Sequence, residues 1–293
     1  MHWGCTVDRS THALYGFFLN CRFIINTDAM TPFELLLIKL TATPLMMLAV
    51  SMAARKWGGF IGGIISGLPL TSAPVMFFLA IEQGIPFAER AASAALSGLT
   101  AVLLTYFFYV FITKRVSVLV GCLSSAAFFA TCSLLTFQTF FANWAIPADL
   151  VLIGLIIRRT GGNRVKPTAL AKMPSWDIPL RMVASTSLLL IITALAHLIG
   201  PHWSGMLSPI PVVAWPLTIF LHKRNGRAEM VASVRGNAIS AVGIILFYVV
   251  VSGLMVRLGV FATFALAVPS SVAATIVLVM GLKIIRQRTA LSH

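Results

Sequence analysis

Charge is what this sequence has least of. Only 10% of its 293 residues are Asp, Glu, Lys or Arg, and the acids number eight in all. A soluble domain carries about 25% charged residues, so this composition does not supply a water-facing surface. Eight scattered acids are also a poor basis for two-carboxylate acid/base chemistry. The four cysteines, Cys5, Cys21, Cys122 and Cys132, form no CxxC pair and no metal-ligand spacing. The six histidines are equally dispersed; His197 and His202 flank a Gly-Pro turn. HExxH, GxSxG and a glycine-rich phosphate loop beside a lysine are all missing. These gaps argue against an enzyme and lead to the expectation of no metal and no cofactor. No polar stretch is long enough for an ATPase domain, so any energy source is an ion gradient, the solute gradient or a partner.

What the chain has in abundance is apolar sequence: 58% of the residues, with mean hydropathy +0.93. Apolar runs of 18 residues or more each cross a hydrocarbon core of about 30 Å as a helix. Helices are required there because lipid offers no partner for free backbone groups, and the alternation of a membrane barrel strand is absent. The spans read as roughly 33–53, 59–81, 91–112, 116–136, 141–157, 178–199, 205–222, 235–256 and 260–282. With the N-terminus outside, seventeen of the 22 Lys and Arg residues fall on the inner side, four fall outside, and Lys39 lies within a span. That asymmetry is the positive-inside pattern. It accounts for the net charge of +14 without nucleic acid, and it makes the lipid bilayer the expected partner. The expected location is a bacterial cytoplasmic membrane, with the C-terminus inside; a homo-oligomer is compatible with this.

A second pattern is repetition. GGIISGLPLTSAPVMFFLAIEQG (62–84) matches SGMLSPIPVVAWPLTIFLHKRNG (204–226) at a constant offset of 142 residues. Pairs in register include Gly63/Gly205, Ser66/Ser208, Pro69/Pro211, Pro74/Pro216, Gly84/Gly226 and, further on, Tyr106/Tyr248. The expected organisation is an N-terminal extension outside the fold (1–29), a four-helix repeat (30–140), a linking helix with a basic loop (141–172), and a second four-helix repeat with a basic tail (173–293). An odd number of crossings per period inverts the second copy. The loop charges agree, since EQGIPFAER is net acidic and its counterpart HKRNGRAEM is basic. The fold class is thus an all-α polytopic membrane protein of nine helices, built as two inverted repeats. Such repeats are common in secondary transporters.

Candidate site residues follow from what is costly in lipid. Pro69, Pro74, Pro211 and Pro216 break helices 2 and 7 at matching places. Broken transporter helices expose backbone groups that bind solute, whereas Ser and Thr side chains satisfying a kink is the plainer reading. Thr71, Ser72 and Ser208 lie beside those breaks. The run Gly59, Gly63, Gly67 reads as a packing face. Lys39 aligns with Arg181, and two readings stay open: snorkelling to the headgroups, or two cations flanking an anionic solute from opposite sides. A charge at mid-bilayer costs about 2.5–3.5 kcal/mol on insertion scales. Asp149, the one acid well inside a span, is a candidate proton or ion-pair site.

The run SGLPLTSAPVMFFLAIEQG (66–84) resembles a segment of uncharacterised bacterial inner-membrane proteins with a GLPLTSxPV-type repeat. Each half also resembles the small GlpM-type membrane proteins, through Gly67, Leu68, Pro69, Leu70 and Pro74, with the Thr71–Ser72 pair departing from that pattern. The resemblance implies architecture and no activity. The expected function is a secondary transporter or exporter of a small solute, with an anion as the candidate, working by alternating access with a site lined by Lys39, Thr71, Ser72, Ser208 and Arg181. The competing expectation is a non-catalytic scaffold or assembly factor of an envelope complex.

Overall fold

The structure is a computed structural model, and it describes residues 31–55, 58–138, 144–161, 176–212 and 214–291. The chain forms two compact units, residues 1–38 and 39–293. The expectations for the extension 1–29 and for the basic loop 162–172 lie outside the described residues.

The described part of the first unit is a helix start. The Thr31 N–H donates to Glu34 Oε2 at 2.7 Å and the Glu34 N–H donates to Thr31 Oγ1 at 3.3 Å. This reciprocal cap satisfies two otherwise orphaned donors, and it opens helix α1, Pro32–Arg55.

The described residues are otherwise helical, with no strand among them. After α1 come α2 (Gly58–Ser66), α3 (Ser72–Glu82), α4 (Ile85–Ile112), α5 (Val118–Gln138), α6 (Ala145–Thr160), α7 (Asp177–Leu207), α8 (Ala214–Asn225) and α9 (Arg227–Leu291). Among the described residues, four stretches are long and apolar enough to cross a membrane: Ile85–Ile112, Val118–Thr136, Ile178–Leu207 and Arg227–Ile284. Large apolar side chains stand outward on them, such as Leu119, Leu123, Val183, Leu198, Val256 and Val277, each more than 60% exposed. A surface of that kind is unsuited to water and compatible with a membrane.

The helices are cut differently from the expected spans. Helices 2 and 7 were expected over 59–81 and 205–222 with breaks at their prolines. The helix is interrupted in both: α2 stops at Ser66 and α3 starts at Ser72, while α7 stops at Leu207 and α8 starts at Ala214. Pro69 and Pro211 lie in these gaps, and their carbonyls accept the N–H of Ala73 and Trp215, both at 2.8 Å. Pro74 and Pro216 are not helix-interior prolines as expected. They sit in the first turn of α3 and α8, where an N–H has no intrahelical partner to lose. Within α7 and α9 the backbone is non-helical at Gly200 (φ 73°, ψ 174°) and Gly259 (φ 75°, ψ 174°), so each divides there into two helices, in a region open to glycine alone.

Backbone detail recurs at the 142-residue interval. Gly84 (φ 88°) precedes α4 and Gly226 (φ 83°) precedes α9. The Leu70 N–H bonds to the Leu68 carbonyl at 2.6 Å, and the Val212 N–H to that of Ile210 at 2.8 Å. The packing is reciprocal as well. A Cβ on Gly63 would run into the Ser233 backbone of α9, and one on Gly205 into the Ala91 backbone of α4. Each short half-helix is therefore lodged against the long helix of the other half. Close approach of helix backbones at small residues is how helices associate where lipid removes the hydrophobic drive. α4 and the first part of α9 are the inner helices, with Leu99, Leu103, Tyr109, Phe247 and Tyr248 fully buried.

These contacts set a sign test. Gly63→Ala and Gly205→Ala are expected to lower stability by about 1–3 kcal/mol through overpacking. Gly154→Ala, whose Cβ meets nothing within 4 Å, gains up to ~1 kcal/mol of helix propensity. Melting temperatures of the detergent-solubilised protein give the comparison.

Candidate site at the crossed helix breaks

The two gaps between short helices face one another and line a partly open pocket of about 30 Å³, room for one or two waters. Its wall includes Ser66, Gly67, Thr71 and Ser72 from the first gap, Pro209, Pro211 and Ala214 from the second, Tyr106 from α4 and Asn237 from α9. No residue in the wall carries a charged side chain. The C-terminal ends of α2 and α7 and the N-terminal ends of α3 and α8 meet here.

Hydrogen bonds tie the two gaps together. The Ser72 hydroxyl donates to the Ser208 carbonyl at 3.3 Å, and the Ser208 hydroxyl lies 3.0 Å from that of Tyr248. Ser66 Oγ is 3.2 Å from Asn237 Oδ1 and 3.2 Å from the Gly63 carbonyl. Thr71 precedes α3 but makes no side-chain cap. Two wall groups lack a hydrogen-bond partner among the described residues: the Tyr106 hydroxyl and Asn237 Nδ2. Both residues are buried, 3% and 4% exposed. An unsatisfied buried polar group costs about 1–3 kcal/mol, and a water in the pocket could bond to both.

Three of the expected site residues come together here. Thr71 and Ser72 line the cavity, and Ser208 stands directly behind Ser72. Lys39 does not line it. Its ammonium lies 2.5 Å from Glu82 Oε1, donates to Thr193 Oγ1 at 2.8 Å and sits 5.3 Å from the Phe78 ring centre. Lys39 is 6% exposed, so it does not snorkel either: the C-terminal end of α3 supplies its counter-charge. The Arg181 side chain lies outside the described residues. Asp149 is fully buried on α6. One of its oxygens accepts from Thr100 Oγ1 at 2.6 Å; the other has no partner among the described residues. The Lys39 ammonium, one candidate ion-pair partner, is engaged by Glu82 instead.

Tyr106, Asn237 and Ser66 were not among the expected site residues. A signal for the first was present, because two of the four tyrosines occupy the matched positions 106 and 248. Asn237 had no such mark.

The Lys39–Glu82 contact yields a second expectation. Lys39→Met and Glu82→Gln each lower the melting temperature, and the double variant loses less than their sum. The coupling expected of an ion pair in contact is about 0.5–3 kcal/mol; strict additivity would remove the pair from any stabilising role.

No family model, curated protein or solved structure matches this chain.

Proposed function

We propose that this protein is a secondary transporter of a small polar solute, built from two inverted repeats of four helices joined by α6. The observation that carries the reading is the pair of helix breaks, 142 residues apart, packed face to face around a pocket with unsatisfied hydrogen-bonding groups. Broken helices at corresponding places in two halves, meeting inside the membrane, are the usual way such proteins make a solute site. Exposed backbone is tolerated at that depth only where protein or a cavity receives it. In this reading α2 with α3, and the end of α7 with α8, each serve as one crossing, which restores nine crossings with the N-terminus outside. The reciprocal lodging of α2 on α9 and of α7 on α4 supports an in-plane two-fold relation.

The pocket of about 30 Å³ is the solute site in this reading. Thr71, Ser72 and Ser208 connect the two gaps, and Tyr106 and Asn237 present free polar atoms to the solute. Asp149, the buried acid with one free oxygen, is the group that exchanges a proton during the cycle. Lys39 and Glu82 hold α1 and α3 together outside the site.

Two labelling experiments test this, each in a background lacking the four native cysteines. Pro86 and Ala228 are exposed counterparts that avoid the left-handed glycines beside them. With an impermeant thiol reagent on intact cells, Pro86→Cys reacts and Ala228→Cys does not if the halves are inverted. Equal labelling rules out inversion. Thr71→Cys, in the cavity wall, reacts from outside in cells and from inside in inverted vesicles if access alternates. Reaction from neither side favours the scaffold reading instead.

A further inference from the structure

A second, larger pocket of about 310 Å³ lies beside the second helix break. To its wall α4 contributes Thr105, α5 contributes Ser125 and Phe129, the break contributes Pro211, and the start of α8 contributes Trp215 and Pro216. No described wall residue is charged. Apart from Thr105, Ser125 and the indole N–H of Trp215, the described wall side chains are hydrocarbon, so the pocket suits a mostly apolar molecule. Thr105 Oγ1 is engaged, donating to the Ala101 carbonyl at 2.7 Å. Ser125 differs. It is fully buried, and its hydroxyl has no hydrogen-bond partner among the described residues. A serine inside a helix can bond back to its own helix, as the adjacent Ser124 does to the Gly121 carbonyl at 3.1 Å. Ser125 makes no such bond and keeps its hydroxyl open on the pocket wall.

The other half of the chain supplies a comparison. One interval of 142 residues on, Thr105 corresponds to Phe247 and Ser125 to Ala267. Phe247 is fully buried with its ring centre 5.9 Å from that of Phe264, and Ala267 is fully buried as well. Where the second half carries a ring of its own and no hydroxyl, the first leaves out the ring and adds a hydroxyl. The pocket reaches the molecular surface at Ala126, which is exposed on α5, three residues from the outward-facing Leu123. In a membrane, an apolar molecule arrives by that side. A cavity of about 150 Å³ holds benzene, so twice that volume admits two fused rings. We propose that this pocket binds a small uncharged compound of two fused rings bearing one hydroxyl or carbonyl group. The rings pack among Phe129, Trp215 and the two prolines, and the polar group bonds to the Ser125 hydroxyl. Aromatic walls favour a ring over a flexible chain through stacked and edge-to-face contacts. The pocket between the gaps shares Val102 and Pro211 with this one, but the proposal does not rest on the transport reading.

The test titrates the purified full chain in detergent with 2-naphthol, with naphthalene as the same rings without the hydroxyl, and with 1-decanol as a chain carrying one hydroxyl. The expected result is a saturable rise in melting temperature with 2-naphthol, a weaker response to naphthalene and none to 1-decanol beyond its effect on the variants. Ser125→Ala removes the anchor and is expected to weaken the apparent affinity for 2-naphthol by about three- to tenfold, leaving naphthalene unchanged. Thr105→Phe places in the pocket the ring that the other half carries as Phe247, and it is expected to abolish both responses. Melting without ligand reports the folding of each variant, and Ser125→Phe fills the space from α5 should Thr105→Phe not fold. No saturable response to 2-naphthol in the unaltered chain, or an equal response in a folded filled variant, overturns the site. An unchanged affinity in Ser125→Ala overturns the role of the hydroxyl. A response to 1-decanol equal to that of 2-naphthol, and lost in the filled variants, assigns the pocket to an acyl chain and overturns the ring ligand. Neither variant touches the wall of the pocket between the gaps, so labelling of Thr71→Cys decides the transport reading separately.

Discussion

A backbone that leaves the helix inside an apolar layer has to find partners for every group it frees, and this molecule is arranged around two such departures. Between Ser66 and Ser72, and between Leu207 and Ala214, the chain tightens into short turns that return most carbonyls to nearby N–H groups. What the turns do not satisfy on one side is met from the other, as Ser72 reaches the Ser208 carbonyl. Neither break is self-sufficient. Each needs the opposite gap beside it, and that requirement brings the two halves of the chain into contact.

The glycines follow from the same constraint. To put the gaps face to face, α2 must lie directly on α9 and the end of α7 directly on α4, closer than a side chain permits. Gly63 and Gly205 allow it, and their contacts with Ser233 and Ala91 fall at matching positions. Kinks at Gly200 and Gly259 and the left-handed Gly84 and Gly226 then redirect the chain without long loops. Space remains at two places: the small pocket between the gaps and a larger one of about 310 Å³ lined by Thr105, Phe129 and Trp215 among others.

The charged groups divide by role. Lys39 looked like a solute ligand because a cation inside a span needs a reason. Its reason is Glu82, which sits at the end of α3 and reaches back to it. A pairing of this kind removes the cost of burying the lysine and leaves no net charge to offer a ligand. Asp149 differs. It has a hydroxyl partner on one oxygen and none among the described residues on the other, so its burial is only half compensated.

Composition and pattern alone determined that the chain is helical and apolar, where its proline-bearing segments lie, and that Thr71, Ser72 and Ser208 belong with them. Those features are local or periodic: an apolar run, a paired proline and a glycine spacing act through a helix turn or two and are visible in one dimension. Whether a proline kinks a helix or ends it was not legible, because Pro74 and Pro216 sit harmlessly in a first turn only once the chain has stopped at Ser66 and Leu207. Nor were the partners of Lys39 and Asp149, or the free donors of Tyr106 and Asn237. Each depends on which residue from a distant helix arrives within about 3 Å, and that is decided by packing across the molecule rather than by neighbours along the chain.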